Sequence, residues 1–197
     1  MSDTIVVIAS STGGPAALMQ VLPHLPEDFP CPVVVVQHIW PGFSESLTDS
    51  LKEKCILPVH PATEGHLIEN GNIYVAFSEH HIKIKKMPAH HHVFFYSEEE
   101  TKRGSAKPSA DILLESLADS GYANVLAVVL TGMGSDGTKG IIGLSKKKRV
   151  HVLAQDEESC VVYGMPGAVA EEYGDCEIVE LSKMAGRISE CVKMPDE

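Results

Sequence analysis

With 197 residues, 44% of them hydrophobic and 22% charged, the chain has an ordinary folded-domain composition and the length for one well-covered core. Its formal net charge of −11 argues against nucleic acid or anionic membrane as partners, and its apolar runs are strand-length, too short for membrane insertion. Five cysteines without a C-x-x-C, and no secretion signal in residues 1–10, read as reduced, mostly buried thiols in a cytoplasmic protein.

The segment TIVVIAS, residues 4–10, is a first strand, and Pro15 opens a helix running to about Leu22. Val33–Val36 is a continuous apolar run, the pattern of a strand buried on both faces. Phe43, Leu47 and Leu51 are spaced as one helix face. Residues 72–76, 82–85 and 93–96 read as short strands of an antiparallel insertion, and the charged segment 97–108 as a loop. Ser109 is placed to cap a helix whose stripe is Ile112, Leu113 and Leu117, ending by Gly121. Val125–Leu130 is a central strand, followed by a Gly-rich turn around Asp136 and a helix. Val150–Ala154 is a further strand, Pro166 opens a helix ending near Gly174, Ile178–Val179 is a late strand, and a last helix follows. No linker or internal repeat divides residues 1–197. The expectation is one α/β domain, three-layered and Rossmann-like, with a mainly parallel sheet and a small antiparallel hairpin insertion.

Three of these strands run straight into one member of a Ser-His-Asp set: Ser11, His38 and Asp136. Open parallel sheets bind ligands beyond the carboxyl ends of their strands, so such ends bring a nucleophile, a base and an orienting carboxylate together. Each residue has a plainer reading. The turn Ser10-Ser11-Thr12-Gly13-Gly14 would equally cradle a phosphate, and spacing does not choose between Ser10 and Ser11. A histidine at a strand end is often structural, and Asp136 suits the cap of the helix after it. The sequence is not G-x-S-x-G, so the α/β-hydrolase elbow does not apply. The runs His80-His81 and His90-His91-His92 do not form a metal site, because adjacent strand residues face opposite ways; a hairpin with solvated histidines is expected. Lys146–Arg149 reads as a solvated helix end.

Five strings, IASSTGGPAAL, VVVVQHIWPGF, KPSADILLESLA, VVLTGMGSDGTKG and AQDEESCVVYGMPGAV, resemble in order the catalytic domain of the chemotaxis protein-glutamate methylesterases. The similarity runs from about Ile5 to about Val179. It implies Ser11 as nucleophile in preference to Ser10, His38 as base and Asp136 as its orienting carboxylate. It also implies hydrolysis of methyl-glutamates on the cytoplasmic helices of methyl-accepting chemotaxis receptors, a second activity on receptor glutamines, and no cofactor or metal. Thr12, Met133 and Gly134 are expected around the oxyanion donors. Trp40, the lone tryptophan, is expected either along the substrate groove or in ordinary packing.

Departures from the family pattern bear on substrate preference. Ala9-Ser10 replaces Gly-Ala, Lys107 replaces an arginine, and Ile39-Trp40 replaces Met-Pro. Family members commonly carry a phosphorylatable receiver domain ahead of the esterase, whereas here the first strand begins within a few residues of Met1. The expectation is a standalone domain, either constitutively open or governed by a separate regulatory protein, or else part of a longer protein. The rival from another class is a non-catalytic signalling module whose Gly-rich loop holds a phosphate or a partner.

Overall fold

The computed structural model describes residues 3–97 and 107–193. In chain order the elements are β1 (Thr4–Ser10), α1 (Gly14–Val21), β2 (Val33–Gln37), α2 (Phe43–Lys54), β3 (Val59–Pro61) and β4 (Ile73–Val75). There follow the hairpin β5 (His81–Lys86) and β6 (His92–Ser97), then α3 (Ala110–Ser116), β7 (Asn124–Val129), α4 (Thr138–Ser145) and β8 (Arg149–Gln155). The described chain closes with α5 (Gly164–Glu172), β9 (Glu177–Val179) and α6 (Leu181–Cys191).

Seven strands form one sheet in the order β3-β4-β2-β1-β7-β8-β9, and every pairing in it is parallel. Alternation along β1 feeds two cores. Val6 and Ile8 pack with Leu18, Val21, Leu51 and Ile188 of α1, α2 and α6, while Ile5, Val7 and Ala9 face Leu113, Ile141 and Val169 of α3, α4 and α5. The all-apolar look of the strands is thus the mark of a sheet covered on both faces. From β1 the chain winds one way to β2, β4 and β3, and from β7 the other way to β8 and β9. The reversal falls between β1 and β7. In open α/β sheets ligands bind at such a switch point, beyond the carboxyl ends of the strands.

The antiparallel insertion is smaller than the sequence pattern indicated. Residues 73–75 belong to the main sheet as β4, parallel to both β2 and β3, with Ile73, Tyr74 and Val75 all buried. Three residues are too few to show a period. Its neighbour β3 has no apolar run and contains Pro61, so nothing in the sequence marks it, and the strand pattern at 72–76 does not tell which sheet it joins. The hairpin β5–β6 is as expected, but its histidines are not all solvated: His81 and His92 are buried while His80 and His91 are exposed. The inner face of the hairpin packs on α3, and His92 stacks on Tyr122 at 4.1 Å while its Nε2 donates to the Ser120 carbonyl at 2.7 Å. Of the expected loop, residues 98–106 lie outside the described residues; Ser97 ends β6. The cysteines are free thiols, but only Cys31 is buried; the other four are partly exposed. Among the described residues no helix is long and apolar enough to cross a membrane.

Candidate active site

The register of the sheet brings the three loops together. Ser10 is level with Gln37 across β1 and β2, and Ala9 is level with Val129 across β1 and β7. Ser11 and His38 are therefore the first residues beyond adjacent strand ends, and the backbone N–H of His38 donates to the Ser10 carbonyl at 2.9 Å. Asp136 arrives from the far side of the switch point. His38 Nε2 lies 2.7 Å from Asp136 Oδ2, with side chains 13% and 9% exposed, so the contact is largely screened from water.

Asp136 accepts four hydrogen bonds. Its Oδ2 takes the His38 ring N–H and the Ala110 backbone N–H at 2.7 Å each, and its Oδ1 takes the Ser109 hydroxyl at 2.8 Å and the Asp111 N–H at 3.1 Å. Burial by itself would raise this carboxyl, but the bonds from His38, Ala110 and Ser109 outweigh it and hold Asp136 below the ordinary carboxylate range. An ionised acceptor requires a donor, so His38 presents Nε2–H to Asp136 and leaves Nδ1 as the ring nitrogen for Ser11.

Asp136 does not cap the helix that follows it, as its place in the turn had indicated. Gly137, at φ +99°, is the residue before α4, and the Asp136 carboxylate instead takes the first amides of α3. The arrangement is reciprocal: Asp111 of α3 reaches back, and its Oδ1 accepts from the Gly137 and Gly140 amides at 3.0 and 2.7 Å. Burial pushes the Asp111 carboxyl up, against the lowering effect of those amides and with a further upward push from the Asp136 charge. Ser109 serves twice, as the cap whose Oγ accepts from the Ile112 N–H and as donor to Asp136. The sequence identified Ser109 as a cap but gave no role to Asp111. An acid in the first turn of a helix was the available signal.

The nucleophile loop is set by side chains the sequence reading also passed over. Buried Gln37 accepts from Ser10 Oγ at 2.7 Å and donates through Nε2 to the carbonyls of Ser11 and His38 at 2.9 and 2.7 Å. Ser10 is thereby buried and occupied, while Ser11 stands partly exposed with no hydrogen bond to its hydroxyl among the described residues. Thr131 Oγ1 donates to the Thr12 carbonyl at 3.0 Å and accepts from the amides of Val161 and Val162, fastening the β8–α5 loop beside the site. A Cβ on Gly132 would lie 2.8 Å from Ser11 Cβ and 2.9 Å from its backbone nitrogen, so this turn requires glycine.

Of the expected oxyanion neighbours, Thr12 follows Ser11 directly and Met133 and Gly134 follow Gly132 against it. The amides of Thr12 and Met133 donate to nothing among the described residues, and both residues are exposed. Trp40 is 81% exposed, which removes the packing reading. Lys107 is exposed and makes no bidentate contact among the described residues. No cluster of three or more metal-ligating side chains occurs among the described residues.

A largely buried carboxylate, a histidine held by it and an unengaged serine at a switch point make an arrangement suited to acyl transfer. Comparison with known proteins agrees. The crystal structure of the Thermotoga maritima CheB methylesterase catalytic domain superposes with a TM-score of 0.90 at 38% identity, covering 97% of this chain and all of that one. The protein-glutamate methylesterase/protein-glutamine glutaminase of T. maritima is 42% identical over 176 residues, that of Bacillus subtilis 41% over 189, and that of Escherichia coli K12 34% over 184. These alignments cover 89%, 96% and 93% of this chain but only 50%, 52% and 52% of those proteins, so the chain spans about half the length of these relatives. The family model described as CheB methylesterase matches residues 6–188, and the chain belongs to that family.

Proposed function

We infer that residues 1–197 act as one catalytic domain in the cytoplasm, hydrolysing γ-methyl esters of glutamate side chains on the cytoplasmic helices of methyl-accepting chemotaxis receptors. Deamidation of receptor glutamines is a second activity of the same site. The observation that carries the reading is the 2.7 Å contact between His38 Nε2 and Asp136 Oδ2, one strand away from a serine hydroxyl with no partner among the described residues. The printed names of the relatives, esterase and glutaminase together, support the substrate class.

In this mechanism Ser11 Oγ forms a bond to the ester carbonyl carbon as its proton passes to His38 Nδ1. The oxyanion accepts from the amides of Thr12 and Met133, with Gly134, at φ +90°, turning the chain beside them. The carbon–methoxy bond then breaks, and methanol leaves with the proton held by His38. Water, deprotonated by the same nitrogen, cleaves the acyl-serine to release glutamate. Asp136 remains ionised throughout and stabilises the imidazolium. A phosphate cradle at residues 10–14 would give the largely screened His38–Asp136 pair no task, which argues against the binding-module reading.

Methanol release from methylated receptor cytoplasmic fragments tests the proposal. Turnover by the wild type that disappears in Ser11→Ala is the expected result. Equal release by both proteins, or none by either, would refute it.

A further inference from the structure

We propose that a second pocket, on the same edge of the sheet as Ser11, receives a lysine or arginine side chain of the protein substrate. The cavity, of about 310 Å³, lies between the start of α2 and the base of the hairpin and is lined by Ser44, Glu45, Phe77, Glu79, His80 and Tyr96. One wall is aromatic, with the His80 and Tyr96 rings stacked 4.2 Å apart. Glu45 and Glu79 stand exposed at the mouth, and neither has an ion-pair partner among the described residues. Gly42 also lines the cavity, and close to it in the chain stand Trp40 and Phe43, 81% and 61% exposed. Two unpaired carboxylates, an aromatic wall and a groove for a methylene stem together suit a long basic side chain, whose stem lies along apolar surface while its head meets charge. This inference rests on the esterase reading, since it names the surface that would hold a substrate helix.

The sheet supplies a distance. The pocket residues Phe77 to His80 follow β4, which is two strands from β1 in the order β4-β2-β1. At about 4.8 Å per strand the pocket sits roughly 10 Å from Ser11 along the carboxyl edge. A helix rises 1.5 Å per residue, so a substrate helix lying along that edge spans the gap in about seven residues, and positions seven apart share a face. The subsite therefore selects a basic residue seven positions from the scissile glutamate.

The test uses a helical peptide with a central γ-methyl glutamate and lysines seven residues to either side, against the same peptide with alanines there. Binding to the Ser11→Ala chain is read by fluorescence of Trp40, the lone tryptophan, so the measurement needs no turnover. The lysine peptide is expected to bind about fivefold tighter at low ionic strength, with the preference gone in Glu45→Gln/Glu79→Gln. Equal binding of the two peptides, or a preference that survives the double substitution, overturns the proposal. The wild type separates the two readings. Turnover of both peptides without preference leaves the esterase and removes the subsite; a binding preference without turnover of either leaves the subsite and removes the esterase.

Discussion

Asp136→Asn tests the site because the four bonds to this carboxylate allow the amide only two orientations, with different consequences. If the NH₂ takes the Oδ2 position, it confronts the Ala110 N–H, a bond of 2.7 Å, and forces His38 to accept at Nε2, which puts the proton on Nδ1 and removes the base. If it takes the Oδ1 position, it confronts the Asp111 N–H, a longer bond of 3.1 Å, and the Ser109 hydroxyl, which rotates to accept. The second orientation gives up the weaker bond, so His38 keeps its tautomer and loses only the charge beside it. One unsatisfied buried amide costs about 1–3 kcal/mol, and the lost charge at the start of α3 about 0.3–1 kcal/mol. The sum, about 1.3–4 kcal/mol, lowers the melting temperature by about 3–16 °C at this chain length. For the reaction, a carboxylate about 4 Å from the centre of an imidazolium at an effective dielectric near 20 contributes up to about 4 kcal/mol, so kcat falls by about 10²–10³. Asp136→Ala, which also frees the ring, falls further. Methanol release and thermal unfolding of the same preparations provide the measurement. A loss as complete as that of Ser11→Ala would show that the amide turns the other way; a loss under tenfold would refute the pairing of His38 with this carboxylate as the basis of activity.

Gly132→Ala places a Cβ 2.4 Å from Met165 Sδ and 2.9 Å from the Ser11 backbone nitrogen, so it displaces the nucleophile; stability falls by about 1–3 kcal/mol and kcat with it, in urea titration and ester turnover. Asp111→Asn keeps an oxygen for the Gly137 and Gly140 amides while removing a charge that burial disfavours. Its melting temperature should equal or exceed that of the wild type at neutral pH, and the gain should vanish as the wild-type carboxyl protonates on descent towards its ordinary value of 3.8. The stability that Asp136 supplies has the opposite sign: it is present above 3.8 and lost as pH falls through its lowered native value, so the Asp136→Asn deficit narrows only at lower pH. Gln37→Glu turns an oxygen towards the carbonyls of Ser11 and His38 in place of the Nε2 donor and should cost about 2–4 kcal/mol at neutral pH, less on acidification, by chemical denaturation.

Much of the fold was legible because its strands are covered on both faces. Residues 5–9, 33–36 and 125–130 are apolar without interruption, as only a two-sided core requires, and helices of amphipathic period stand between them. The resemblance carried the choice of Ser11; the geometry adds that Ser10 is spent on Gln37. The strand β4 and its neighbour β3 were misread or missed because three residues carry no period and their pairing is wholly non-local.

The sequence by itself determined which residues reach the strand ends, since a strand's exit is a local matter of where an apolar run meets glycine and polar residues. Only the tertiary structure decided what those residues do to one another. Asp111 and Asp136 are chemically alike and 25 residues apart, yet one is raised and the other lowered. The difference lies in their partners: Asp136 meets the His38 ring, the Ser109 hydroxyl and the amides of another helix, whereas Asp111 has two amides and a like charge nearby. Hydrogen bonds and desolvation act within a few ångströms, and the sheet register and the exchange of caps between α3 and α4 set those distances.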